Sequence, residues 1–306
     1  MRRTVFDPLG MTSSSYVWQS RYESLKVYNH GLLGDLAGRR TPWRANAAAS
    51  LHTTAGDYAR FVAAVLAGKG LRPATARALM SPQSRPDERG INTATAAPTG
   101  RYAPSLAWGL GIGLEQEDEA WSLWHWGDNA TTKAYVAASP QRRTGVVLFA
   151  NSENGLLLAP PIVAEVLGGN ASAFAWLKQR GPVPAFGPFL AALRSSGAAQ
   201  ALETYQAGRQ ARPSDPAIDE ETMNRIGYVL LRGKKVKDAI EVFKQNLSDH
   251  PESWNVHDSL GEAYTADGKT DLAIEAYERS LQLNPANTGG AEALKRLRAA
   301  AGRDAR

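Results

Sequence analysis

Apolar positions along the chain follow two different rules. From residue 218 onward they recur at helical spacing and then recur again as a block. At an offset of 34 residues, Gly227 falls on Gly261, Ala239 on Ala273, Ile240 on Ile274, Phe243 on Tyr277, Leu247 on Leu281 and Pro251 on Pro285. Repetition at such a period marks stacked supersecondary units, each too small to bury its own apolar face. Each copy reads as two antiparallel helices. Small residues (Gly261, Ala273) stand where the helices cross, and Leu260, Tyr264, Tyr277 and Leu281 fill the space between units. Arg232-Gly233 and Asp267-Gly268 supply tight turns, and Pro251 and Pro285 stop the second helix of each copy. Residues 197–215 form a degenerate earlier copy at an offset of about 38 residues. Residues 289–301 read as a polar closing helix. Gly and Pro cluster at 181–188, so residues 169–196 are expected as a linker.

The first 168 residues alternate strand and helix signals. Thr54-Ala55-Gly56-Asp57 has the form of a capping box. Behind it Tyr58, Phe61, Val62, Val65 and Leu66 make one apolar stripe at helix spacing, ended by Gly68 and Gly70. A short helix is expected from Pro73 to Met80. Four strand-like runs follow, Leu106–Leu114, Trp121–Trp126, Lys133–Ala138 and Gly145–Ala150, separated by turn-rich pieces that include residues 115–119. Short connections predict an antiparallel meander, with a helix over Ala159–Leu167 on one face. The expected architecture is therefore α+β over residues 1–168, followed by an all-α repeat domain over 197–301, its clear repeats at 218–251 and 252–285.

Composition narrows the function classes. The chain has 306 residues, 43% apolar and 21% charged, as a globular protein has. No run approaches the 20 or so apolar residues that a membrane-spanning helix needs. No apolar stretch follows the basic start MetArgArg, so this chain shows no signal peptide. Zero cysteines exclude disulfides and thiolate metal sites. The five histidines lack metal-ligand spacing, so no metal or cofactor is expected. Net charge is +5, yet residues 218–285 carry 13 acids and 8 bases. The basic excess lies elsewhere, without a basic run interleaved with aromatics, so no nucleic-acid partner is expected.

Two stretches resemble known families. The repeat positions resemble the tetratricopeptide repeat, departing at His257 where that pattern carries Trp. The resemblance implies a concave groove that binds protein or peptide, with Asn224, Tyr228, His257 and Tyr264 as candidate contact residues. Over residues 4–168, the order ProLeuGlyMet (8–11), a ThrThrAlaGlyAsp helix start (53–57), TrpGlyLeuGlyIleGlyLeu (108–114), HisTrpGlyAspAsn (125–129) and GlyValValLeuPheAlaAsn (145–151) is similar to the C-terminal half of penicillin-binding-protein-like serine hydrolases, the group that includes class C β-lactamases. It implies that His125-Trp126-Gly127 is that family's third motif. His125 would present a proton-active side chain to substrate, Gly127 would allow close backbone approach, and the Asp128 backbone N–H would be an oxyanion donor. It also implies export or a periplasmic location, and does not choose among β-lactam, peptidoglycan peptide and carboxylic ester.

The nucleophile is another matter. This chemistry needs Ser-x-x-Lys, with the amine one helical turn from the hydroxyl. None of the lysines has Ser three residues before it. Ser152-Glu153-Asn154 and Ser253-Trp254-Asn255 match a second motif in letters but follow the third motif in the chain, so they read as coincidence. There is no Gly-x-Ser-x-Gly elbow, and Gly109-x-Gly111-x-Gly113 lacks dinucleotide-loop spacing. Three readings stand. The chain is an N-terminally incomplete hydrolase fused to repeats; or it is a non-catalytic protein-binding scaffold; or a second chain supplies the missing half along an open sheet edge.

Overall fold

The computed structural model describes residues 1–38, 41–91, 99–117, 119–168, 171–179 and 181–304. The chain divides into two compact units, Met1–Gly181 and Pro182–Arg306. The first is α+β and the second all-α, the architecture expected above.

The sheet of the first unit has five antiparallel strands in the order of the chain: β3 (Leu106–Trp108), β4 (Gly113–Glu117), β5 (Ala120–Asp128), β6 (Lys133–Ser139) and β7 (Thr144–Ala150). A two-stranded ribbon, β1 (Asn29–His30) with β2 (Leu36–Gly38), precedes it. The strand expected over 106–114 is two strands, because the chain turns at Gly109–Ile112. Gly109 packs so close to the Leu79 carbonyl that a Cβ would lie 2.0 Å from its oxygen, and Gly111 takes φ 81°. The acidic run expected as a turn enters β4 instead. Its Glu115 pairs with Ser122 and is buried, because one carboxylate oxygen accepts the Ser172 backbone N–H at 2.9 Å.

The two faces of the sheet carry separate cores. Trp124, Tyr135 and Ala137 pack with Val163 and Leu167 of α3 (Ala159–Leu167) and with Phe174 of α4 (Ala171–Trp176). Leu123, Val136 and Ala138 pack against Val62 of α1 (Ala55–Leu66). The helix α2 (Pro73–Leu79) follows it. Thr54 caps α1 by accepting the Asp57 N–H at 3.1 Å. Asp57 does not return to Thr54 as a full capping box would. Its buried carboxylate accepts the Ser13 N–H at 2.8 Å and the Ser14 hydroxyl at 2.9 Å, and pairs with Arg60 at 2.8 Å. One acid thus ties the N-terminal segment to α1.

The second unit is a run of helices: α5 (Phe186–Ser196), α6 (Ala198–Ala211), α7 (Glu220–Arg232), α8 (Val236–Asp249), α9 (Trp254–Ala266), α10 (Thr270–Leu283) and α11 (Thr288–Asp304). Two helices, α4 and α5, occupy much of the segment expected as a linker, of which residues 169, 170 and 180 lie outside the described ones. Burial of Phe186, Phe189 and Leu193 makes α5 helical despite the Gly-Pro content around it. The small residues sit where the repeat predicts. A Cβ on Gly227 would lie 2.3 Å from the Phe243 ring, and one on Gly261 would lie 3.1 Å from the Tyr277 ring. Asp219 and Ser253 cap α7 and α9.

Candidate functional site

The end of β5 outruns its neighbour, and that asymmetry builds the site. The pairing of β4 with β5 stops at Gly113 opposite Trp124, whereas β6 runs alongside β5 to Asp128 opposite Lys133. At the hairpin, Asn129 N–H donates to the Thr132 carbonyl at 3.0 Å and Thr132 N–H returns to Asn129 at 3.4 Å. Antiparallel ladders alternate bonded and non-bonded pairs. Gly127 opposite Ala134 is then a bonded pair, while Trp126 opposite Tyr135 and Asp128 opposite Lys133 are not. The Trp126 carbonyl and the Asp128 N–H therefore point away from β6, to the side that β4 has already left.

His125 takes up the first of these groups. Its Nδ1 lies 2.8 Å from the Trp126 carbonyl. A carbonyl only accepts, so Nδ1 carries a proton and is the donor of this bond. The ring stacks on Trp126 at 5.3 Å and 19° and lies 5.7 Å from the Trp108 ring. Aromatic contact and hydrogen bond together fix the orientation of a half-buried histidine.

Asp128 uses its side chain in the turn rather than on the open side. One carboxylate oxygen accepts the Ala130 N–H at 3.0 Å and pairs with the buried Lys133 ammonium. Ala130 holds φ 58°, a costly value for a residue with a Cβ. That turn is braced by the Asp128–Lys133 pair, and the backbone N–H of Asp128 stays out of it.

Two cavities meet at His125. One, of about 330 Å³, is walled by the N-terminal segment (Val5, Phe6, Met11) and by Trp126, Gly127 and Asn129. The other, of about 280 Å³, lies between α1 and the sheet and is lined by Val65, Leu79 and Ile112. Tyr58, Phe61, His125 and Val136 line both. The Tyr58 hydroxyl titrates above its ordinary value, first because it is buried and then because of nearby Tyr16. Tyr58 and Phe61 were legible in the sequence only as an apolar helix stripe; nothing in their spacing marks a cavity wall.

Other polar groups of this unit hold structure together. Asn151, at the end of β7, donates to the Tyr28 carbonyl at 2.6 Å, and Asn154 to the Leu32 carbonyl at 2.9 Å. The latter accounts for the Ser-x-Asn letters at 152–154. His52 is pushed down to about 4 by burial first and by the Lys26 ammonium second. Glu115 is pushed up to about 7, with burial outweighing the backbone N–H groups of Ser172 and Ala173 that favour its charge.

In the repeat unit the four candidate contact residues are not equivalent. Asn224 and Tyr228 stand one turn apart on α7. The Tyr228 hydroxyl donates to Glu262 at 2.9 Å, and the Asn224 Oδ1 is buried without a partner. His257 donates from Nε2 to the Pro251 carbonyl at 3.1 Å, and Tyr264 is buried. A groove of about 560 Å³ between α9 and α11 is lined by Asp258, Glu262, Tyr277 and Arg296. Reasoning from the repeat missed Asp258 and Glu262, although the 34-residue offset carries Asn224 onto Asp258 and Tyr228 onto Glu262.

Among the described residues no group of His, Asp and Glu has the arrangement to hold a metal ion, and no helix is long and apolar enough to cross a membrane.

Comparison with known proteins gives two family matches: the model described as Beta-lactamase over residues 1–162 and the tetratricopeptide repeat over residues 254–287. No curated protein matches. Among solved structures, the octameric penicillin-binding protein homologue from Pyrococcus abyssi is 17% identical, with a TM-score of 0.44, over 55% of this chain and 37% of its own. The penicillin binding protein from Bacillus halodurans is 18% identical, with a TM-score of 0.43, over 54% of this chain and 48% of its own. The first tetratricopeptide domain of human RPAP3 is 20% identical, with a TM-score of 0.28, over 38% of this chain and 87% of its own. The chain thus spans less than half the length of the two penicillin-binding proteins it resembles.

Proposed function

Residues 1–162 make this chain a member of the β-lactamase family, and from that premise we propose that its first unit is the substrate-facing, C-terminal portion of a serine hydrolase working through an acyl-enzyme. The second unit contains tetratricopeptide repeats, and in this reading it recruits a protein or peptide. The observation that carries the hydrolase reading is the Asp128 backbone N–H, left out of the β5–β6 ladder on the same open side where the Trp126 carbonyl holds His125.

In this reading the Asp128 N–H is one oxyanion donor, and loss of such a donor costs about 10²–10³ in rate. His125 meets the leaving group or the substrate's polar end through Nε2, with Nδ1 held by the Trp126 carbonyl. Gly127 keeps the strand free of a side chain where substrate lies along it. The activated serine is assigned to residues outside this sequence, since no serine here precedes a lysine by three. By itself the chain binds but does not turn over.

Intact mass spectrometry after treatment with a fluorophosphonate and with benzylpenicillin tests this. The expected result is an unmodified chain, together with no hydrolysis of p-nitrophenyl acetate above that of a His125→Ala variant. A stoichiometric adduct on any serine overturns the assignment of the nucleophile.

A further inference from the structure

Positions in the repeat unit answer the 34-residue offset in two ways. Those that pack helices keep their character: Gly227 and Gly261 lie against the Phe243 and Tyr277 rings. Those that line the groove between α9 and α11 change. Glu262 stands where Tyr228 stood one copy earlier and where Arg296 stands one copy later, and Asp258 likewise lies between Asn224 and Glu292. A side chain that differs from copy to copy is not one the repeat needs for stacking, so these positions are open to recognition.

Asp258 and Glu262 stand one turn apart on α9 and share a face. Asn287 Nδ2 donates to Asp258 at 2.6 Å and the Tyr228 hydroxyl to Glu262 at 2.9 Å, each to one of the carboxylate's two oxygens. Neutral donors thus fix the two acids without cancelling their charge. Arg296, on the α11 wall, pairs with Glu292 of its own helix at 3.9 Å. Tyr277, also in the lining, reports the balance. Its hydroxyl titrates above its ordinary value, first because it is buried, and Asp258 and Glu262 each add to that rise more strongly than Arg296 opposes it. Ala293 and Leu297 give the α11 wall its apolar surface.

We propose that the groove of about 560 Å³ between α9 and α11 receives a basic peptide segment, with a lysine or arginine held by Asp258 and Glu262 and a neighbouring apolar side chain on Ala293 and Leu297. This rests on the reading of the second unit as a recruiting module, and adds the sign of the partner's charge. The same sign holds at longer range, since residues 218–285 carry 13 acids against 8 bases, a field that steers cationic partners and repels anionic ones. Side-chain pockets of alternating character are how an exposed peptide is told from its competitors.

The test is selection of a phage-displayed library of random dodecapeptides on the full chain, followed by fluorescence anisotropy with the enriched peptides. Enriched sequences are expected to carry Lys or Arg beside an apolar residue. Replacing one such basic residue with Gln should weaken binding by up to about fivefold, and raising the salt should weaken the parent peptide as well. Asp258→Asn and Glu262→Gln each keep an acceptor for the donor that holds them, and together should weaken the basic peptides by about fivefold or more. Ala293→Phe fills the groove from α11 and should weaken them too. If the double variant does not fold, the composition of the peptides enriched on the parent chain decides, and Ala293→Phe locates them. Enrichment of acidic or uncharged peptides overturns the basic-peptide groove while leaving recruitment in place, as do basic peptides that bind the variants as tightly as the parent. No enrichment over the unselected library overturns both.

Discussion

The two units of this protein store their structural information differently. In the repeat unit one pattern is written twice, so Gly227 and Phe243 are supported by Gly261 and Tyr277, their counterparts 34 residues away. In the sheet unit each strand is written once, and the site depends on where one strand outlasts another. Repetition makes a fold easy to read and spreads its stability over similar contacts. A site built from a missing neighbour, as at the open side of β5, leaves no periodic mark.

Substitutions can sharpen that contrast. The largest effect is expected at Phe243, fully buried between repeat helices. Phe243→Ala should cost about 3–5 kcal/mol in urea unfolding. Next comes Glu115 in the sheet unit, raised to about 7 when folded from 4.5. The folded state holds this proton more tightly than the unfolded state, so between those values stability falls as pH rises. Glu115→Gln should abolish that fall and make the variant more stable than the parent at pH 9, by up to about 3 kcal/mol. His52 acts in the opposite sense. Its folded value near 4 lies below 6.5, so its contribution is lost as pH falls through that window, and the parent-to-variant difference isolates Glu115. A smaller effect separates two helical glycines. Propensity alone favours Ala at either by about 1 kcal/mol. At Gly227 the new Cβ would meet Phe243 at 2.3 Å, so Gly227→Ala should cost about 1–3 kcal/mol. At Gly208 nothing lies within 4 Å, so Gly208→Ala should gain about 0.5–1 kcal/mol, the smallest of these effects. A gain at Gly227 equal to that at Gly208 would break the repeat's packing rule.

Much of this was legible beforehand, and the shortfalls have physical causes. The repeat helices, their turns and close crossings follow from local spacing and small residues. The meander followed from alternation, but the break of Leu106–Leu114 into two strands did not. It depends on Gly109 approaching the Leu79 carbonyl, a contact between distant segments. The acidic residues after Leu114 read as a turn because nothing local shows that Glu115 would be buried and would accept the Ser172 N–H. Asp57 was recognisable as a helix-start residue, but not as the acceptor for Ser13 and Ser14. At the site, His125, Gly127 and Asp128 were named from motif order alone. Which backbone groups stay free was decided by register, which no residue announces.

The central claim concerns one amide, and hydrogen exchange measured by NMR addresses it residue by residue. The Gly127 N–H lies in a bonded pair with Ala134 and should exchange slowly. The Asp128 N–H, one residue on, should exchange orders of magnitude faster. Equal protection of the two amides would contradict the open donor on which the proposed chemistry depends.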